Sequence, residues 1–157
     1  MKTEHQAYVA VVGPADPEDP VVLERARLAG RLLAERGYVV VTGGLGGVMA
    51  AAAAGAREVG GTTVALLPGD DRRDASPGHA VVLPTGMGEM RNALLVRCVD
   101  VVLAVGGSWG TLSEMALAAR TGVPVLAVGS WELPGPEVIP CADVGEAVGR
   151  VADLLTR

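Results

Sequence analysis

Apolar residues along this chain fall into short runs that alternate, from end to end, with stretches of helical spacing. Tyr8 to Val12 is a β-branched run closed by Gly13-Pro14, the pattern of a buried first strand. Asp19-Pro20 then offers an N-cap with proline at the first helical position. Val22, Ala26, Ala29 and Leu33 recur on one face up to Gly37, which predicts a helix from Pro20 to Arg36. Tyr38 to Val41 is the next strand, followed by Thr42-Gly43-Gly44-Leu45-Gly46-Gly47 and an alanine-rich helix from Val48 to Val59. Thr62 to Leu67 and Ala80 to Leu83 read as strands, Met87 to Cys98 as a helix, and Val99 to Val105, Val123 to Val128 and Val138-Ile139 as further strands. Thr111 to Arg120 is the helix between them. Asp143-x-x-Glu146 caps a final helix with Val144, Val148, Val151 and Leu155 on its inner face. Such alternation predicts an α/β fold, a Rossmann-like doubly wound parallel sheet in three layers, α/β/α, with ligands at the carboxyl ends of the strands.

Two of the strand-to-helix turns are rich in glycine. The stretch Val105-Gly106-Gly107-Ser108-Trp109-Gly110-Thr111-Leu112-Ser113-Glu114 leads from an apolar strand into a helix. It would aim several unpaired N–H groups and a positive helix end at one spot, which suits a phosphate. On its own the stretch fits equally well a tight turn, with Thr111-x-x-Glu114 as a capping box. The Thr42 to Gly47 turn repeats the geometry, which points to one shared site. Its spacing is not G-x-G-x-x-G, and the next strand lacks a clean acidic residue about 20 positions on, so a classical dinucleotide site is disfavoured. The small face from Ala50 to Gly55 suits close backbone packing on the sheet or on a second subunit, with the sheet favoured. Arg91 falls inside the apolar stripe of its helix with Met87, Leu94, Leu95 and Cys98. A buried guanidinium needs a carboxylate or phosphate, whether an internal ion pair or a ligand.

Composition narrows the classes. The 157 residues, half of them hydrophobic, make one domain spanning 1–157. Glycine supplies 22 residues, about twice the usual ~7%, concentrated after apolar runs. The net charge of −5 and the lack of a dense basic run speak against nucleic acid as a partner. No run is apolar for the length of a membrane span, and no signal-peptide layout opens the chain, so the cytoplasm is the expected location. Cys98 and Cys141 lack metal-ligand spacing and read as buried free thiols; no metal site is expected. Lys2 is the only lysine, which argues against a Walker phosphate loop and against a pyridoxal-phosphate enzyme, both of which need one. The loop from Pro68 to Gly78 could cover a site or be a solvated crossover. His79, beside it, has no partner visible in the sequence and reads as structural or surface.

Arg91-Asn92, the Ala104 to Glu114 stretch and Gly43-Gly44-Leu45-Gly46-Gly47-Val48-Met49 together resemble the LONELY GUY superfamily, whose members were long labelled lysine decarboxylases. The lysine argument rules that activity out here. The resemblance runs from about Tyr8 to Val128. Its hydrolytic members cleave nucleoside 5′-monophosphates to free base and ribose 5-phosphate. By this resemblance the amides of Gly107 to Thr111 and the Thr111 hydroxyl would hold the phosphate, and Arg91 and Glu114 match the catalytic pair. Gly13, Gly43, Gly44, Gly46, Gly47, Met49, Gly106, Gly107, Ser108, Trp109, Gly110 and Thr111 form the expected ligand-binding set. Asn92 stands where the hydrolases carry lysine, which is closer to the branch holding molybdenum-cofactor carrier proteins. The resemblance therefore implies a phosphorylated small molecule, a nucleotide or the molybdenum cofactor, with no further cofactor required. It leaves open hydrolysis against non-catalytic carriage or sensing, and it implies a homodimer or higher homo-oligomer. The helices from Val48 to Val59 and from Met87 to Cys98 are the candidate subunit contacts.

Overall fold

Seven parallel strands form one sheet in the order β4-β3-β2-β1-β5-β6-β7 in the computed structural model, which describes residues 5–157. Lys2 lies outside the described residues. The strands are β1 (Tyr8–Val12), β2 (Val39–Thr42), β3 (Thr63–Leu67), β4 (Val81–Pro84), β5 (Val101–Val105), β6 (Val125–Val128) and β7 (Val138–Cys141). The helices are α1 (Pro20–Glu35), α2 (Val48–Glu58), α3 (Arg91–Arg97), α4 (Trp109–Arg120) and α5 (Val144–Leu155). None is long and apolar enough to cross a membrane.

The central strands are apolar on both sides because both faces are covered. Val9 and Val11 of β1 pack with α1, α2 and α5, while Ala10 and Val12 point to the layer holding α3 and α4. Strand order reverses direction at β1, whose neighbours are β2 and β5, so a crevice opens between the carboxyl ends of β1 and β5.

Helix ends follow the chemistry of their capping residues. Asp19 Oδ1 accepts from Val21 N at 2.9 Å to start α1. Asp143 Oδ1 accepts from Glu146 N at 2.8 Å to start α5. Glu146 reaches back one residue further than a standard capping box, accepting from Ala142 N at 2.7 Å.

Four expectations need correction. The helix expected from Met87 to Cys98 is split: Gly88 takes φ +59°, residues 88–90 form a 3₁₀ turn, and α3 begins only at Arg91. That break leaves Met87 and Met90 exposed, outside the apolar stripe. Cys98 lies past the end of α3 and is exposed, whereas Cys141 is buried; both are free thiols. The small face of α2 is spent largely on α1 rather than on the sheet alone. A Cβ on Gly30 would overlap the Ala52 carbonyl, and one on Gly55 the Arg27 carbonyl, so the two glycines let the helix backbones touch.

Candidate functional site

The site sits where β1 and β5 end. A cleft of about 190 Å³ is lined by Val11, Val12, Gly13, Ala15, Gly43, Leu45, Met49, Arg91, Asn92, Ser108, Gly110, Thr111 and Glu114. Gly13 is required there because a Cβ would collide with the Val105 carbonyl and the Val48 methyls.

The turn after β5 forms one wall. Gly106 takes φ +70°, a conformation that favours glycine, and carries the chain away from the strand. Ser108 is the N-cap of α4: its Oγ accepts from Thr111 N at 3.2 Å and lies 2.9 Å from Thr111 Oγ1. This corrects the expected capping box, since Thr111 lies inside the helix and Glu114 caps nothing. The Thr111 amide is thus already satisfied. The amides of Gly107, Ser108, Trp109 and Gly110 have no protein acceptor among the described residues, and they lie at the start of α4, the positive end of a three-turn helix.

The second glycine turn plays a different part. Gly47 N-caps α2 with φ +61°, and a side chain there would overlap the Pro14 and Ala15 carbonyls. The Pro14 carbonyl accepts from Val48 N at 3.0 Å and so occupies the start of α2. Gly44, with φ +80°, packs against Leu67 and Ala65. Gly44, Gly46 and Gly47 do not line the cleft, while Gly43 and Met49 of the same motif do.

Gly43 makes room for Arg91. The guanidinium lies in the space its side chain would take, and Nη1 donates to the Leu66 carbonyl at 2.9 Å. Arg91 is only 7% exposed, and its Nε is buried without any hydrogen-bond partner. No direct ion pair joins it to Glu114. Burial pushes the Arg91 guanidinium below its ordinary range, offset in part by the charge of Glu114. Burial likewise pushes the Glu114 carboxyl up to about 7, with the Arg91 charge holding it from going higher. A buried guanidinium with an unpartnered Nε, four open amides and a carboxyl titrating near neutrality can bind an oxyanion and exchange a proton beside it.

Three features escaped the sequence reading. Leu45 and Ala15 line the cleft from the loops after β2 and β1 and carry no chemical signature. His79 is not isolated: its Nε2 lies 2.6 Å from Thr42 Oγ1 and its Nδ1 lies 3.1 Å from the Ser76 carbonyl. Thr42 Oγ1 accepts from Gly44 N at 3.0 Å, and the Gly44 carbonyl accepts from Ser76 N at 2.8 Å. The loop from Pro68 to Gly78 thus braces the glycine turn through these bonds and lends no residue to the cleft.

Comparison with known proteins follows the same lines. The profile of the SLOG cluster4 family matches residues 6–146. A protein of Archaeoglobus fulgidus is 39% identical over 115 residues, covering 73% of this chain and 74% of its own. The molybdenum cofactor binding protein of Rippkaea orientalis superposes with a TM-score of 0.91 at 29% identity, covering 98% of this chain and 99% of the other. The molybdenum cofactor carrier protein of Chlamydomonas reinhardtii gives 0.88 at 31% identity, with 98% and 100% covered. The class is a Rossmann-like α/β protein of the LONELY GUY type, near its molybdenum-cofactor carrier branch. Within that class, the chain belongs to the SLOG cluster4 family.

Proposed function

We propose that this protein binds a phosphorylated heterocyclic small molecule in the cleft between β1 and β5 and carries it without turnover, the molybdenum cofactor being the candidate cargo. The observation that carries this reading is Arg91: a buried cation whose Nε has no partner, beside a helix end with open amides. An uncompensated buried charge is costly, and an oxyanion in the cleft that Arg91 lines supplies the opposite charge. The amides of Gly107 to Gly110 would take the other phosphate oxygens. The likeness to proteins named for binding or carrying the molybdenum cofactor favours that ligand over a nucleotide.

A second reading rests on Glu114. A carboxyl held near 7 beside the phosphate site suits proton transfer at neutral pH, and in the hydrolytic reading it would steady positive charge on the ribose as the base departs and take a proton from the attacking water. Two assays separate the readings. Mass spectrometry of the gently denatured protein, purified from a host that makes the cofactor, is expected to find a phosphorylated pterin. Incubation with a panel of nucleoside 5′-monophosphates is expected to release no base. Base release by the wild type that is lost in Glu114→Gln would reverse the preference.

A further inference from the structure

The cleft is small. At about 190 Å³ it falls below the ~300–1,000 Å³ of pockets that enclose whole ligands, so a phosphate held on the α4 turn leaves the rest of its molecule at the rim. An unusual pair stands beside the turn that supplies Ser108 and Gly110 to the cleft. The chain has two tryptophans and no phenylalanine, and both tryptophans stand at this turn with ring centroids 5.3 Å apart and planes tilted by 34°. Trp109 is 78% exposed, the most exposed of the large apolar side chains among the described residues.

The fold backs that ring with Trp131 rather than burying it. Trp131 Nε1 donates to the Ser108 carbonyl at 2.9 Å, and Gly107 has no side chain, so the Trp131 ring can lie against it. Trp109 leans on Trp131 and stands at the first position of α4, between Ser108 and Gly110, which both line the cleft. Its own amide is one of the open phosphate donors. A water-exposed indole backed by a second ring, one residue from the cleft-lining Ser108 and Gly110, offers a π-face to a flat ring on a phosphate held there.

We propose that Trp109, backed by Trp131, is the stacking platform that selects a planar nitrogen heterocycle, purine or pterin, on the phosphorylated ligand; this rests on the phosphate reading of the cleft given above. The indole pair recognises flatness and leaves the phosphate to the amides and Arg91. Heterocycle preference and phosphate affinity are therefore separable.

Calorimetric titration with GMP and with ribose 5-phosphate tests this in the wild type, Trp109→Ala and Trp109→Phe. The wild type is expected to bind GMP at least about tenfold more tightly than ribose 5-phosphate, the order expected of one base–aromatic stack. Trp109→Ala is expected to bring GMP to the level of ribose 5-phosphate, and Trp109→Phe to retain part of the difference. Free pterin titrated in saturating inorganic phosphate separates the sources: binding lost in Trp109→Ala assigns pterins as well, and no binding confines the platform to purines. Equal affinities in the wild type, or a difference that survives in Trp109→Ala, would overturn the proposal while leaving phosphate binding intact. Failure of GMP and ribose 5-phosphate alike to bind would overturn the phosphate reading and the platform with it.

Discussion

The Arg91 guanidinium occupies the space that a β-carbon on Gly43 would fill. The two residues come from different strand-to-helix connections, and the absence of a side chain on one sets the position of the charge on the other. Gly43→Ala is therefore expected to displace Arg91 from the Leu66 carbonyl and to weaken binding of inorganic phosphate by about tenfold, the lower end of the worth of hydrogen bonds to a charged group. Isothermal titration against the wild type reads this directly.

Glu114 makes the protein sensitive to alkaline pH. Its native pKa of about 7 lies above the ordinary 4.5, so the folded state holds the proton more tightly than the unfolded chain between those values. The stability this confers is complete below pH 4.5 and is lost as the pH rises through 7. The wild type is expected to lose up to about 3 kcal/mol relative to Glu114→Gln between pH 4.5 and 8.5, each pKa unit being worth ~1.4 kcal/mol. Thermal melts of both proteins across that range measure it. Sulfate, which does not titrate there, is expected to bind the wild type less tightly above pH 7 and to bind Glu114→Gln equally at both ends.

His79 acts in the opposite direction. Burial lowers its pKa from 6.5, and in the neutral ring Nε2 accepts from the Thr42 hydroxyl while Nδ1 donates to the Ser76 carbonyl. That contribution is complete above pH 6.5 and is lost as the pH falls through the lowered value. His79→Phe is expected to cost ~1–3 kcal/mol at pH 8, by leaving Thr42 and Ser76 without their partner, and to flatten the fall in stability toward pH 5. Denaturant titrations at the two pH values check both effects.

The contact between α1 and α2 sets a limit on side-chain size. A Cβ on Gly30 would overlap the Ala52 backbone, which cannot swing aside as a flexible side chain would. Gly30→Ala is expected to destabilise the protein by about 3 kcal/mol, the upper range for overpacking, and to lower Tm by several degrees.

The sheet was legible in the sequence because each buried strand is a short apolar run with a turn signal after it, as Tyr8–Val12 with Gly13-Pro14 shows. The glycine turn after β5 was legible for the same reason: Gly106-Gly107 follows β5 directly and the helix follows at once. Periodicity misplaced the start of α3, since the apolar spacing continues through Gly88 while the backbone there takes a positive φ. Glycine content alone could not separate the two turns. Gly47 is fixed by the Pro14 and Ala15 carbonyls, more than 30 positions away in the chain, and only the packed structure brings them together. The partners of His79 were hidden likewise, since Thr42 lies 37 positions before it.

The central claim is that Arg91 and the start of α4 hold the phosphate of the ligand. Titration of inorganic phosphate into the wild type and Arg91→Met tests it most directly, because methionine keeps an apolar stem of similar length in the buried site. Saturable binding by the wild type, weakened at least tenfold in Arg91→Met while the variant still melts cooperatively, is the expected result. Equal phosphate affinity in the two proteins would contradict it.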